Sequence, residues 1–248
     1  MRHPGAAAYK RAVTDLAVVC DFDGTATLLD VGDEISRHFC GPEYLALQKK
    51  LFHEGKLTTR AIIQSIYAPV RAAEAEVVAF ALRTAKLRPG FVELVAAARD
   101  RGAPFYLASG GLRQYVEAVV ASRLPPDLRA HVQVRANEAT FSPGGLRVSY
   151  PGDAESRAAG CEVCGSCKRV AIAEARRSGA AYVLGIGDGF ADRCLVQFAD
   201  RTFAREDSYL HRYCQDQGLD CTPFTELYGA AEAVRGWVRP AAASTRER

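Results

Sequence analysis

No stretch of this 248-residue chain approaches the roughly 18 consecutive apolar residues that a membrane-crossing helix needs. A membrane partner is therefore not expected. Long blocks of one charge sign are missing too: 32 Lys and Arg face 29 Asp and Glu, and the formal net charge is only +3. That balance is too mild to point to nucleic acid. The opening MRHPGAAAYKRAVTD lacks the continuous apolar core of a secretory signal, so the expected location is cytoplasmic. In that compartment eight cysteines read as buried small side chains, reactive thiols or metal ligands before disulfides. The chain has no internal repeat and no low-complexity segment; its polar, Ala-rich end, residues 239–248, is expected to be a disordered tail.

What is present is ordinary globular usage, 48% hydrophobic and 25% charged, enough for one large domain or a core with a smaller companion. LAVVC (16–20), PFYLA (104–108) and AYVLGIG (181–187) are short unbroken apolar runs of buried-strand type. Helical patterns such as GFVELVAAARDRG and CKRVAIAEARRSG lie between them. The alternation predicts an α/β fold: a Rossmann-like parallel sheet with helices on both faces. Residues 30–88 read differently, as a helical block without a strand, and predict a small cap inserted after the first strand. The catalytic core is then 14–29 plus 89–238. VRANEATFSPGGLRVSYPG reads as a hairpin turning at SPGG.

The chemistry-bearing residues fall at the carboxyl ends of the predicted strands, where open α/β sheets bind ligands. In VVCDFDGTAT, Asp21 and Asp23 follow the first strand, and alternation sends both side chains to one side. LASGG puts Ser109 and Gly110 after the second strand, as an anion site or a helix cap. GIGDGFAD puts Asp188 and Asp192 after the third. Lys168 opens a helix, where its charge opposes the macrodipole unless an anion faces it.

This ordered set (Asp-x-Asp-Gly-Thr, Ser-Gly, Lys, Gly-Asp-Gly-x-x-Asp) resembles the haloacid dehalogenase superfamily of phosphatases, over nearly the whole chain. The position of the helical insert resembles the phosphoserine phosphatase subgroup. The resemblance implies Asp21 as nucleophile forming an aspartyl-phosphate, and Asp23 as acid and then base. It implies Mg²⁺ on Asp21, the backbone carbonyl of Asp23 and Asp188. Ser109, Gly110 and Lys168 are implied to hold the phosphoryl oxygens, with Asp192 in support of Lys168 or the metal. The implied partner is a small-molecule phosphate ester, and the enzyme a monomer or homodimer.

Specificity is expected from the cap, because the core motifs see only phosphate. Asp30 stands where phosphoserine phosphatases carry a substrate-binding glutamate, but their downstream arginine has no match. Gln64 and Ile66 occupy its expected positions, and Arg60 and Arg71 fall elsewhere. DVGDE (30–34) and the cysteine-bearing C-G-x-C-K at 164–168 resemble the branch of 2-hydroxy-3-keto-5-methylthiopentenyl-1-phosphate phosphatases. Phosphoethanolamine and phosphocholine phosphatases remain an alternative, since Asp30, Asp33 and Glu34 suit a cationic head group. Two further alternatives stand: phosphoryl transfer to an acceptor other than water, and a zinc- or redox-responsive module built on Cys161, Cys164 and Cys167, which lack a fourth ligand at knuckle spacing.

Overall fold

The computed structural model describes residues 15–161 and 167–238. The expected tail (239–248), residue 14 and Cys164 lie outside that set. Among the described residues no helix is long and apolar enough to cross a membrane.

Chain order runs from strand β1 (Leu16–Cys20) into four helices: α1 (Val31–Cys40), α2 (Pro42–His53), α3 (Thr59–Tyr67) and α4 (Glu74–Thr84). Helix α5 (Phe91–Asp100) leads to β2 (Phe105–Leu112), followed by α6 (Arg113–Arg123) and α7 (Pro126–Arg129). The hairpin is β3 (Val132–Ser142) and β4 (Gly145–Ser149), followed by α8 (Asp153–Ala158). Then come α9 (Lys168–Arg177), β5 (Tyr182–Gly187), α10 (Arg193–Phe198), β6 (Arg201–Arg205), α11 (Tyr209–Gln217), β7 (Thr222–Phe224) and α12 (Tyr228–Arg235).

The strands form one seven-stranded sheet in the order β4-β3-β2-β1-β5-β6-β7. Only the β3–β4 pair is antiparallel. This is the expected Rossmann-like α/β architecture. Every residue of β1 is buried, and the strand's alternation divides them between two faces. Leu16, Val18 and Cys20 join the larger core with Leu94 of α5, Val119 of α6 and Ala230 of α12. Ala17 and Val19 join a second core with Ile172 of α9 and Leu195 of α10. Each fully buried Val or Leu contributes about 1.5–3 kcal/mol of transfer free energy, which explains why these runs tolerate no polar residue.

Local signals set the helices between β1 and α5. The Asp30 side chain caps α1 by accepting from Asp33 N at 2.8 Å, and Thr58 caps α3 by accepting from Ala61 N at 3.2 Å. Pro42 stands in the first turn of α2. The hairpin braces α3: Gln64 Nε2 donates to Leu146 O at 3.1 Å and its Oε1 accepts from Val148 N at 2.9 Å. Tyr150 also donates its hydroxyl to Arg60 O at 3.0 Å.

The register positions the chemistry. Cys20 is level with Leu107 and with Ile186, so Asp21, Ser109 and Asp188 leave one edge of the sheet together. Strand β6 and helix α11 lie beyond what the apolar runs predicted, because RTFAR carries arginine at both ends and alternates weakly.

Candidate active site

A cavity of about 220 Å³ opens at that edge. Asp21, Asp23, Asp188, Asp192, Lys168 and Gly110 line its floor. Phe52, Ile62, Ile63, Ile66 and Tyr67 of α2 and α3 line the opposite wall, with Phe190 beside them. Phe52 and Phe190 meet edge to face across it, ring centroids 5.2 Å apart.

Lys168, the first residue of α9, is 3% exposed. Its Nζ lies 2.8 Å from Asp21 Oδ1 and 2.9 Å from Asp192 Oδ1. The anions expected opposite this helix start are therefore these two carboxylates. Burial alone would push the ammonium pKa down; Asp192 and Asp21 outweigh it and hold Lys168 well above the ordinary lysine value. Burial pushes the Asp21 carboxyl up, against the pull of Lys168. Asp192 is fully engaged. Its Oδ2 accepts from Asp188 N at 2.9 Å and Gly189 N at 2.7 Å, which ties the turn after β5 to Lys168.

Asp188 accepts from the Thr25 hydroxyl at 2.7 Å and from Arg205 Nη2 at 3.0 Å. Burial and then Asp192 raise its pKa. Gly24, at φ +78°, passes so close to Asp188 that a Cβ there would sit 2.7 Å from Oδ2. Behind this loop Arg88, 7% exposed, donates Nε to Thr25 O (2.8 Å), Nη2 to Gly24 O (2.7 Å) and Thr27 O (3.2 Å), and Nη1 to Thr225 O (2.9 Å). Thr25 belongs to the Asp-x-Asp-Gly-Thr motif, whereas nothing in the sequence pattern singled out Arg88 or Arg205.

Asp23 accepts from Val31 N at 3.1 Å on Oδ1, and on Oδ2 from the Ser109 hydroxyl at 2.9 Å and the Tyr115 hydroxyl at 3.0 Å. Burial outweighs these donors and lifts its carboxyl to about 6, so about a tenth of it is protonated at pH 7. Ser109 is completely buried and its oxygen accepts from Gly111 N at 2.8 Å. In this arrangement its hydroxyl proton serves Asp23, and Gly110 and Gly111, not Ser109, line the cavity.

The expected specificity residues separate. Asp30 lines the cavity; burial, then Asp33 and Asp23, raise its pKa. Asp33 turns to Lys49, and Glu34 pairs with Arg37 along the surface of α1. Neither reaches the cavity, because the docked face of α1 is the one carrying Val31 and Ile35. Arg60 pairs with Asp153 and Arg71 Nη1 donates to Pro143 O, so neither guanidinium takes the place of the missing arginine.

Among the described residues, Asp21, Asp188 and Asp192 are the one group that brings three ligating atoms within 4.8 Å of one another. Beside these three carboxylates stand the Lys168 ammonium, the part-exposed Arg205 guanidinium and, behind the Gly24 loop, the Arg88 guanidinium. An all-oxygen donor set suits a hard divalent ion. The described thiols form no such group. The hydrogen bond with Cys194, then burial, push the Cys167 thiol well above its ordinary value, with Cys161 also in contact. A protonated, buried thiol is a poor nucleophile.

Two protein relatives and one solved structure are similar to the chain over most of its length. The chain is 29% identical to the 2-hydroxy-3-keto-5-methylthiopentenyl-1-phosphate phosphatase of Geobacillus kaustophilus (strain HTA426), over 89% of its own length and 96% of that protein. The protein of the same name from Geobacillus thermodenitrificans (strain NG80-2) is also 29% identical, again across 89% of this chain and 96% of the relative. The fold is similar to that of a substrate-bound phosphoserine phosphatase, with a TM-score of 0.67 and 20% identity over 88% of this chain and 97% of that one. The sequence model of the haloacid dehalogenase-like hydrolases matches residues 18–197, a span from β1 to the turn of Asp188 and beyond, and the protein belongs to that family.

Proposed function

We propose that the chain is a phosphatase that hydrolyses a small phosphate monoester whose leaving group is uncharged and carries an apolar tail. One observation carries this reading: a buried Lys168–Asp21 pair beneath a wall of Phe52, Ile62, Ile63, Ile66 and Phe190, with no second cation facing the cavity among the described residues. An ester bearing a carboxylate would leave that carboxylate unpaired in the closed site, at a cost of several kcal/mol. Phe52, Tyr67, Tyr115, Phe190 and Asp30 also line the cavity, groups that a quaternary ammonium can use, so the ester comparison below separates an apolar tail from a cationic one. The methylthio-bearing enol phosphate named for the Geobacillus relatives fits the remaining description.

In the reaction, an oxygen of Asp21 attacks phosphorus in line as the ester P–O bond breaks. Asp23 gives its proton to the leaving oxygen. It then takes a proton from the water that attacks the aspartyl-phosphate, and the P–O bond to Asp21 breaks to release phosphate. Lys168 and the Gly110 backbone N–H hold the phosphoryl oxygens. Ser109 joins them only by turning its hydroxyl away from Asp23. A Mg²⁺ held by Asp21, Asp188 and the backbone carbonyl of Asp23 would neutralise phosphoryl charge that otherwise repels Asp21. Asp192 keeps Lys168 in position. Residues 30–88 act as the cap that sets specificity over a core of 14–29 and 89–238.

Phosphate release is to be compared across the methylthio enol phosphate, phosphoserine, phosphoethanolamine and phosphocholine, with Mg²⁺ and with EDTA. Preference for the first ester, loss of release in EDTA and loss in Asp21→Asn are expected. Preference for phosphoserine by orders of magnitude would overturn the substrate class, and wild-type turnover by Asp21→Asn the nucleophile.

A further inference from the structure

Two tyrosines, 48 residues apart, meet over Asp23. Tyr115 belongs to α6 of the core and Tyr67 to the last turn of α3; each is 1% exposed. Burying a phenol hydroxyl is unfavourable unless it finds a partner. Here each finds one: Tyr115 donates to Asp23 Oδ2 at 3.0 Å, and the two hydroxyl oxygens lie 3.4 Å apart. Proton counting sets the direction. A phenol has one hydroxyl hydrogen, and that of Tyr115 is engaged by Asp23, so Tyr67 donates to Tyr115. Burial, then the Asp23 charge, push both phenols well above their ordinary pKa, and both remain donors throughout the working pH range.

The surrounding chain makes room for the pair. A Cβ on Gly111 would lie 1.7 Å from the Tyr115 hydroxyl, and one on Gly32 would lie 2.3 Å from the Tyr67 hydroxyl. Two glycines on separate elements thus leave space for two oxygen atoms that a phenylalanine would not carry. The result is a hydrogen-bonded line from α3, through α6, to the side chain that meets the leaving group.

We propose that Tyr115 is a positioning residue that aims the Asp23 carboxyl at the leaving oxygen, and that Tyr67 makes this aim depend on helix α3 being seated over the site. The inference rests on the reading of Asp23 as proton donor. Without Tyr115, Oδ2 keeps Ser109 as its one hydroxyl donor and the carboxyl gains freedom to rotate. When α3 lifts, Tyr67 leaves first and Tyr115 loses the contact that orients it. Proton donation is then strongest when the cap wall is closed on substrate.

The test uses the dependence on leaving group. A nitrophenolate departs with little help from an acid, whereas an alkoxide does not. Values of kcat/KM, which report the steps up to departure of that group, are to be measured for an alkyl phosphate and p-nitrophenyl phosphate in Mg²⁺. The proteins are the wild type, Asp23→Asn, Tyr115→Phe and Tyr67→Phe. For Tyr115→Phe the aryl-to-alkyl ratio should rise about ten- to a hundredfold, since general acid catalysis is worth about 10²–10⁴ and a misaimed acid keeps part of it. Tyr67→Phe, the milder change should Tyr115→Phe fold poorly, should raise the ratio about two- to tenfold. An unchanged ratio in both tyrosine variants, beside a raised ratio in Asp23→Asn, overturns the positioning role while Asp23 keeps its own. An unchanged ratio in Asp23→Asn overturns the proton-donor reading and the inference with it.

Discussion

The Lys168 ammonium sits 2.8 Å from Oδ1 of Asp21, so the cation proposed to hold the phosphoryl group already lies against the carboxylate proposed to attack it. The same ammonium faces Asp192. Replacing it with methionine strands two buried carboxylates, a change that costs about 3–5 kcal/mol in comparable pairs. Lys168→Met should therefore melt well below the wild type in EDTA and lose at least about a hundredfold in kcat/KM. Lys168→Arg should rescue neither, since a planar fork does not fit the pocket of a point charge. An unchanged melting temperature would mean that the ion pairs contribute nothing to the fold.

Mg²⁺ should stabilise the metal-free protein, because binding to the folded state alone adds about 2.7 kcal/mol at a hundredfold excess over Kd. Thermal melts against Mg²⁺ concentration measure this directly. Asp188→Asn removes a carboxylate from the three-aspartate group and should flatten the dependence. A wild type whose melting temperature ignores Mg²⁺ would remove the metal from the proposed reaction.

How much of this was readable beforehand depends on the range of the interaction. Strands β1, β2 and β5 announce themselves because both faces of the sheet are covered, which leaves unbroken apolar runs. Asp21, Asp23 and Asp188 are legible because they follow those runs directly. Asp33 and Glu34 were not separable from Asp30, since the face of α1 that docks is settled only by its packing. Ser109 was legible as a position but not as a donor to Asp23, because hydroxyl direction is set by neighbours far along the chain. Tyr67 and Tyr115 gave no signal at all: each reads as an ordinary core aromatic until the fold brings the two hydroxyls together.

Arg88 is a case of the same kind with a consequence for stability. Its partners are four backbone carbonyls, those of Gly24, Thr25, Thr27 and Thr225, and backbone carbonyls have no sequence signature. Arg88→Met keeps the length of the side chain and orphans those acceptors, at about 2–4 kcal/mol in total. Urea unfolding should show a lower midpoint with an unchanged slope. Arg88→Lys should recover little, because one ammonium cannot span carbonyls that the guanidinium reaches with three nitrogens. Equal stability of Arg88→Met and wild type would show that water replaces the lost donors.

Asp23 should trade stability for function, and the sign follows from its environment. Its carboxyl is lifted to about 6 in the fold, chiefly by burial, against an unfolded value near 3.9. The folded chain therefore binds the proton more tightly than the unfolded one. The associated stability is complete below about pH 4 and is lost as pH rises through about 6. At neutral pH the ionised Asp23 weighs against the metal-free fold by between about 1 and 3 kcal/mol. Asp23→Asn, which cannot ionise and can still meet the Ser109 and Tyr115 hydroxyls, should raise the melting temperature in EDTA at pH 7.5. The gain should shrink towards zero as the pH is brought down to about 4. The same substitution should impair alkyl ester hydrolysis, so the variant is a more stable and poorer enzyme. A lower melting temperature at pH 7.5, or a gain that grows on acidification, would reverse the sign and show that the donors around Asp23 favour its charged form.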